Sequence, residues 1–212
     1  MSIEFKGGFR PQGTLGDSGA VGRVVNIRCG TSAIFNGDVV ALSSGLAVPL
    51  AADAATAIAG VAIGFFWIDP VTGEPVESQY LPASTTSGAG EYGGVTFATG
   101  MLEPVAKVIV DPNMLYAVKA EETITVADVG ASVSYVTDTA VASKIDGRSV
   151  STVSKTTVNA NQDIGTIVDV LRTEGRPIYG DTATAPANNW AESETVVLVK
   201  IKDSAFAWNE RV

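Results

Sequence analysis

Ile58-Ala59-Gly60-Val61-Ala62-Ile63-Gly64-Phe65-Phe66-Trp67-Ile68 contains no charged or hydrogen-bonding aliphatic side chain. A run of this length suits a buried helix or a buried strand by periodicity alone, so composition has to decide. Glycine weakens a helix interior, whereas in a strand it marks a bulge or a close backbone approach. Most of the remaining positions are β-branched or aromatic, residues that fit a pleated surface. The run therefore predicts a core strand with bulges. Extended back to Ala54, it is still too short and too rich in Gly and Ala to span a bilayer.

The flanking sequence supports the same reading. Asp69-Pro70-Val71-Thr72-Gly73-Glu74-Pro75 supplies turn signals on one side. On the other, Gly37–Leu42 and Leu46–Leu50 enclose Ser43-Ser44-Gly45, a hairpin pattern, and 54–57 reads as one helical turn. Arg23–Arg28 is a further strand before a turn at Gly30-Thr31. Beyond a Ser/Thr/Gly loop at 83–94, strand character resumes at Val95–Thr99 and Val105–Asp111. Asp111-Pro112-Asn113 turns the chain into Met114–Ala120. Ser132–Val136 and Ser149–Val158 alternate as half-exposed strands, and Ile164–Leu171 and Val196–Ile201 are the most apolar late runs. Roughly eight to twelve short strands spaced by turns predict an all-β fold, a β-sandwich or a β-barrel-like body. That body covers 21–212, as one unit or as two subdomains meeting near 83–94.

Composition agrees: 28 Val and 20 Thr stand against only 9 Leu. With no histidine there is no Ser-His-Asp triad, Cys-His pair or imidazole metal site. A single cysteine, Cys29, makes neither an internal disulfide nor a thiolate zinc cluster, and is expected to be a buried thiol that packs as a small hydrophobe. The net charge of −9 argues against a nucleic-acid partner. Met1–Lys6 lacks the cationic and apolar regions of a secretion signal, so a soluble chain with no membrane partner is expected.

Charge is placed unevenly. Lys6, Arg10, Arg23 and Arg28 face only Glu4 and Asp17 within residues 1–28, while 29–106 hold seven acids and no Lys or Arg. Residues 5–19 contain five glycines and a proline with no periodicity, which predicts an extended N-terminal arm over 1–20. Phe5 and Phe9, with Lys6 and Arg10, give it anchors, and arms of this kind usually order on a neighbouring chain. Arg23 extends the cationic leader. Trp190, in the polar loop 187–192, is read as an interface anchor.

Candidate chemistry is sparse. Gly88-Ala89-Gly90-Glu91-Tyr92-Gly93 has dinucleotide-fingerprint spacing, but it lies between a Ser/Thr loop and a strand-like stretch, and Glu91 would oppose a pyrophosphate. Glu121 and Glu122 are adjacent, so on a strand they would point to opposite faces. No Asp-x-Asp-x-Asp calcium loop occurs. No catalytic residue, cofactor or metal is expected, and the chain is read as a non-enzyme.

Several stretches together are similar to a known class. Phe35-Asn36-Gly37-Asp38-Val39-Val40, Ala59–Trp67 and Asp111–Val118 occur in this order, followed by Gly147-Arg148-Ser149, Val170-Leu171-Arg172 and Val197–Ile201. The series resembles virion structural proteins of tailed bacteriophages, especially head decoration (cement) proteins of short-tailed phages, over roughly residues 21–201. The resemblance implies a non-enzymatic protein made in the bacterial cytoplasm and carried on the outer capsid surface. Its implied partner is the major capsid protein, and it would act as a dimer or trimer. Phe5, Lys6, Phe9, Arg10, Arg23 and Trp190 are then the expected capsid contacts. Two other classes stay open: a carbohydrate-binding virion module using Trp67, Trp190, Trp208 and the tyrosines Tyr80, Tyr92, Tyr116 and Tyr179, and a carboxylate-based hydrolase using Asp111, Glu121 and Glu122.

Overall fold

The structure, a computed structural model, describes residues 8–15, 22–51, 58–69, 72–83, 104–137, 147–156, 163–170 and 195–202. Their strands are β1 (Arg10–Thr14), β2 (Val24–Arg28), β3 (Ile34–Phe35), β4 (Val39–Ser43), β5 (Leu46–Pro49), β6 (Ile58–Ile68) and β7 (Pro75–Ser78). The series continues with β8 (Tyr80–Leu81), β9 (Val105–Ile109), β10 (Met114–Lys119), β11 (Ser132–Val136), β12 (Thr152–Ser154), β13 (Asp163–Val170) and β14 (Val196–Ile201). Among the described residues the only helical piece is a short 3-10 turn, Val126–Asp128. The fold is all-β.

Two sheets make up the body. Sheet I has the order β2-β9-β6-β4-β5, with β7 also on β6; sheet II has the order β1-β10-β14-β13-β11-β12. Every strand pair in them is antiparallel. Each sheet curls until strands far apart in its order touch. Gly30 N–H donates to the Ala47 carbonyl at 2.8 Å, and Glu121 N–H to the Val153 carbonyl at 2.9 Å. Isolated bridges of this kind, Cys29 with Ala47 and Ala120 with Val153, do not close either sheet into a barrel. The chain passes from sheet I to sheet II at 111–113, where Asn113 N–H donates to Asp111 Oδ1 at 2.8 Å.

β6 shows why its sequence is apolar throughout. Val61 faces the core between the sheets, while Ala59 and Ala62 face a second core on the other side of sheet I. The register slips twice along it, opposite Val40/Ala41 and between Ala62 and Gly64. Each slip resets the alternation of side chains, so Ala62 and Phe65, three apart, share one face. A strand with both faces buried reads as continuous hydrophobicity rather than alternation. β4 pairs with its first half, β7 with its last, and β9 with its centre.

The β4–β5 hairpin follows from local chemistry. Ser44 and Gly45 have φ of 51° and 82°, the paired left-handed residues of a type I′ turn. The larger core joins Val39, Ala41 and Ile109 of sheet I to Tyr116, Tyr135, Ile167 and Val199 of sheet II, and the smaller one includes Ile34 and Leu81 of the β3–β8 pair.

The N-terminal expectation needs correction. Residues 10–14 are not an arm laid on another chain: they form β1, paired with β10 of the same molecule. Phe9 is 1% exposed in the inter-sheet core, edge-on to Tyr116 with ring centroids 6.0 Å apart. Glycine and proline hid this because the strand is irregular, with a register slip between Pro11 and Gly13. Likewise the described part of the Ser149–Val158 stretch, 149–156, is not a half-exposed strand. Among these residues Thr152–Ser154 form the strand, and Ser149, Ser151 and Ser154 are buried. The expected helical turn at 54–57, the strand at 95–99, the 88–93 motif and most of the 83–94 boundary lie outside the described residues.

Candidate functional site

Four segments distant in sequence converge where the sheets meet. Gly8 N–H donates to the Ser151 carbonyl at 2.7 Å, and Phe9 N–H to the Gly37 carbonyl at 2.9 Å. Ser149 N–H donates to the Asn36 carbonyl at 2.8 Å, and Asn36 N–H lies 2.9 Å from both the Gly147 and the Gln79 carbonyls. The Asn36 side-chain amide donates to Gln79 Oε1. Gly37, at φ 92°, allows the approach: a Cβ there would sit 3.2 Å from the Phe9 nitrogen. The Gly8–Phe9 backbone is thereby held by β-chain segments from both halves of the molecule.

Behind this junction lies a buried polar cluster. Asp38 is 7% exposed; its Oδ2 accepts from Phe35 N–H at 2.8 Å, and its Oδ1 accepts from the Ser151 hydroxyl at 3.4 Å. The Tyr135 and Ser151 hydroxyls are 2.7 Å apart, and Ser149 Oγ donates to Ser151 Oγ at 2.9 Å. Burial pushes the Asp38 carboxyl above the ordinary aspartate range, opposed in part by hydrogen bonds from Ser149, Phe35, Ser151 and Tyr135. Satisfying a carboxyl in this way fixes one arrangement of three loops.

In front of the junction is a cleft of about 380 Å³ lined by Gly8, Phe9, Arg10, Pro11, Asn36, Gly37, Ile63 and Arg148. Asp38, Tyr135, Ser149 and Ser151 do not line it. Arg148 is exposed and Arg10 half-buried, so two guanidinium groups belong to one concavity on a chain of net charge −9. Guanidinium pairs suit carboxylates, which they bind through paired N–H donors. The charged residues among its lining are Arg10 and Arg148.

The predicted contact residues separate. Phe9 and Arg10 come together with Arg148, Phe9 from the core side and Arg10 at the cleft. Arg23 is exposed at the edge of sheet I and is not part of this concavity. Phe5, Lys6 and Trp190 lie outside the described residues. Sequence reasoning missed Asn36, Asp38 and Arg148 as neighbours, although Phe35–Val40 and Gly147–Ser149 are two of the stretches that carry the phage resemblance. Their order in the chain gave no hint that they touch.

The carboxylates considered for hydrolysis have local partners. Glu121 Oε1 accepts from Thr152 Oγ1 at 3.0 Å. Glu122 accepts from the Ser154 hydroxyl, from Thr156 Oγ1 at 2.5 Å and from Lys155 N–H at 3.1 Å. Partial burial raises the Glu122 pKa, but these hydrogen bonds outweigh it and hold the carboxyl below its usual range. Trp67, Tyr80 and Tyr116 are buried, so they form no exposed sugar platform, while Tyr92, Tyr179 and Trp208 lie outside the described residues. Cys29 is buried, and desolvation pushes its thiol up to about 12 despite a backbone hydrogen bond at Ala106.

Among the described residues no group of three His, Cys, Asp or Glu could hold a metal ion, and no helix is long and apolar enough to cross a membrane. No protein-family profile matches the chain, and no curated protein is significantly similar to it.

Proposed function

We propose that this chain is a structural virion protein that binds the outer surface of a phage capsid and strengthens contacts between major capsid subunits. The observation that carries the reading is the meeting of Phe35–Val40 with Gly147–Ser149 at the point where Gly8 and Phe9 are fixed. Two stretches of the decoration-protein resemblance thus build the root of the N-terminal segment. A clip on a pressurised shell must carry tension, and a segment rooted by a buried Phe9 passes tension into both sheets. Several kcal/mol per clip, ordinary for a protein interface, multiplies over many copies on a shell. The cationic leader residues Lys6 and Arg10 suit acidic rims, and the acidic body avoids packaged DNA.

The test is a reconstruction of the particle, with density for this protein expected outside the capsid floor. Deleting residues 2–7 removes none of the described strands and is expected to release the protein from particles and lower their heat resistance. Unchanged attachment of the deletion variant would remove the clip mechanism. Recovery from infected-cell lysate but never from particles would overturn the assignment itself.

A further inference from the structure

We propose that Asn36-Gly37 is a deamidation site which the folded chain holds unreactive, and that conversion of Asn36 to isoaspartate when the junction opens frees the Gly8–Phe9 root. It is the one Asn-Gly pair in the sequence. A glycine after asparagine leaves the next backbone nitrogen unshielded, so that nitrogen can attack the side-chain carboxamide carbon. The bond from Gly37 N to Asn36 Cγ forms and the carboxamide C–N bond breaks. The side-chain nitrogen leaves as ammonia, carrying away the proton that Gly37 N–H gives up. Water then opens the cyclic imide at one carbonyl or the other, giving aspartate or isoaspartate.

The fold cannot do without this pair. Gly37 has a φ of 92°, and a Cβ there would sit 3.2 Å from the Phe9 nitrogen, so the position calls for glycine. Hydrogen bonds then silence the pair. The Asn36 carbonyl accepts from Ser149 N–H at 2.8 Å, and Gly37 N–H donates to the Ala62 carbonyl at 2.8 Å. Both polar groups of the peptide unit that must turn for ring closure are thus tied, each to a different segment. The Asn36 carboxamide is itself held on Gln79 Oε1. Access of water is not the barrier, because Asn36 is half-buried and lines the cleft. The reaction therefore runs through the opened junction, in proportion to its population.

The two products differ in consequence. Aspartate leaves the main chain unaltered, and the Gln79 amide can turn to donate to it. Isoaspartate routes the main chain through the side chain, adding one carbon between Asn36 Cα and Gly37 N. The bonds of this segment to Ser149, Ala62 and Phe9 then cannot all keep their register, and Phe9 N–H loses its place on the Gly37 carbonyl. Nothing in this chemistry depends on a capsid being the partner.

The test compares the full chain in buffer, the full chain in urea and a synthetic peptide of residues 33–40, all at mildly alkaline pH. Peptide mapping by mass spectrometry reads the replacement of NH2 by OH at Asn36, and isoaspartyl methylation labels the isoaspartate. The native chain is expected to convert at least about tenfold more slowly than the peptide, and the unfolded chain at the peptide's rate. After ageing in urea and refolding, amide exchange at Gly8 and Phe9 is expected to be at least about tenfold faster than in the parent, with Val199 unchanged. Asn36→Asp is expected to keep these amides close to the parent. Asn36→Gln, whose longer side chain closes a ring far more slowly, is aged in the same way to control for conversion elsewhere. An isoaspartate chain that fails to refold where aged Asn36→Gln succeeds would support the proposal. Native conversion at the peptide's rate, or a refolded isoaspartate chain with Gly8 and Phe9 amides as slow as the parent's, would overturn it.

Discussion

A Cβ atom on Gly60 would stand 1.9 Å from the carbonyl oxygen of Ile109, the residue that pairs with its neighbour Val61, because Gly60 holds a φ of 153° that turns this position onto the β9 backbone. No side-chain rotation relieves a clash with backbone. Gly60→Ala is expected to cost about 3 kcal/mol or more. Gly64, in the same strand, has only ordinary contacts at 3.8 Å or beyond, so Gly64→Ala is expected to stay within about 0.5 kcal/mol of the parent. Urea unfolding of the two variants checks this, and equal effects would mean the strands separate easily at Gly60.

Asp38 gives a pH-dependent prediction. An aspartate in the unfolded chain titrates near 3.8, and burial raises this one in the folded state. The folded chain therefore keeps the proton to higher pH than the unfolded chain. The contribution to stability is complete below 3.8 and is lost as pH rises through the folded value. Asp38→Asn, neutral throughout, is expected to lose less stability than the parent between acid and neutral pH. Asp38→Ala leaves Phe35 N–H and the Ser151 and Tyr135 hydroxyls short of an acceptor, at a cost of about 2–4 kcal/mol. Denaturant midpoints across that pH range decide it; parallel curves for parent and Asn variant would contradict the prediction.

Phe9→Ala tests whether the leader is part of the fold. Truncating a ring 1% exposed against Tyr116 and Tyr135 is expected to cost about 3–5 kcal/mol. Calorimetry should show a melting temperature many degrees lower. A change too small to resolve would return Phe9 to the surface.

Cys29 should behave as an inert thiol. With its pKa pushed up to about 12, almost no thiolate exists at pH 8, and the sulfur is buried as well. A disulfide reagent is expected to react slowly with the native chain and rapidly in denaturant. Fast reaction of native protein would show that the β2 end of sheet I opens readily.

What could be read beforehand was local. The glycines within Ile58–Ile68 exclude a helix by propensity, and Ser44-Gly45 between two apolar runs is turn chemistry confined to a few residues. Asp38 was legible only as one acid among seven, since its environment comes from Ser151, 113 positions away. Phe9 was misread for a related reason: glycine-rich neighbours erase periodicity, and only Tyr116 and Tyr135 reveal that it is core. The Arg10–Arg148 cleft combines both problems, joining segments whose closeness is set by tertiary pairing alone.

Sheet I takes all its strands from one continuous span, Val24 to Ile109, whereas β14 lies inside sheet II between β10 and β13. During synthesis, sheet I can assemble as soon as β9 leaves the ribosome. Sheet II must wait. Until Val196–Ile201 arrives, β1-β10 and β13-β11-β12 lack the strand that lies between them and touch only where Ala120 and Glu121 meet Val153, and Phe9 has only part of its pocket. A nascent chain stalled before β14 would present one finished sheet beside a second held at one end alone, and chaperone demand should concentrate in that interval.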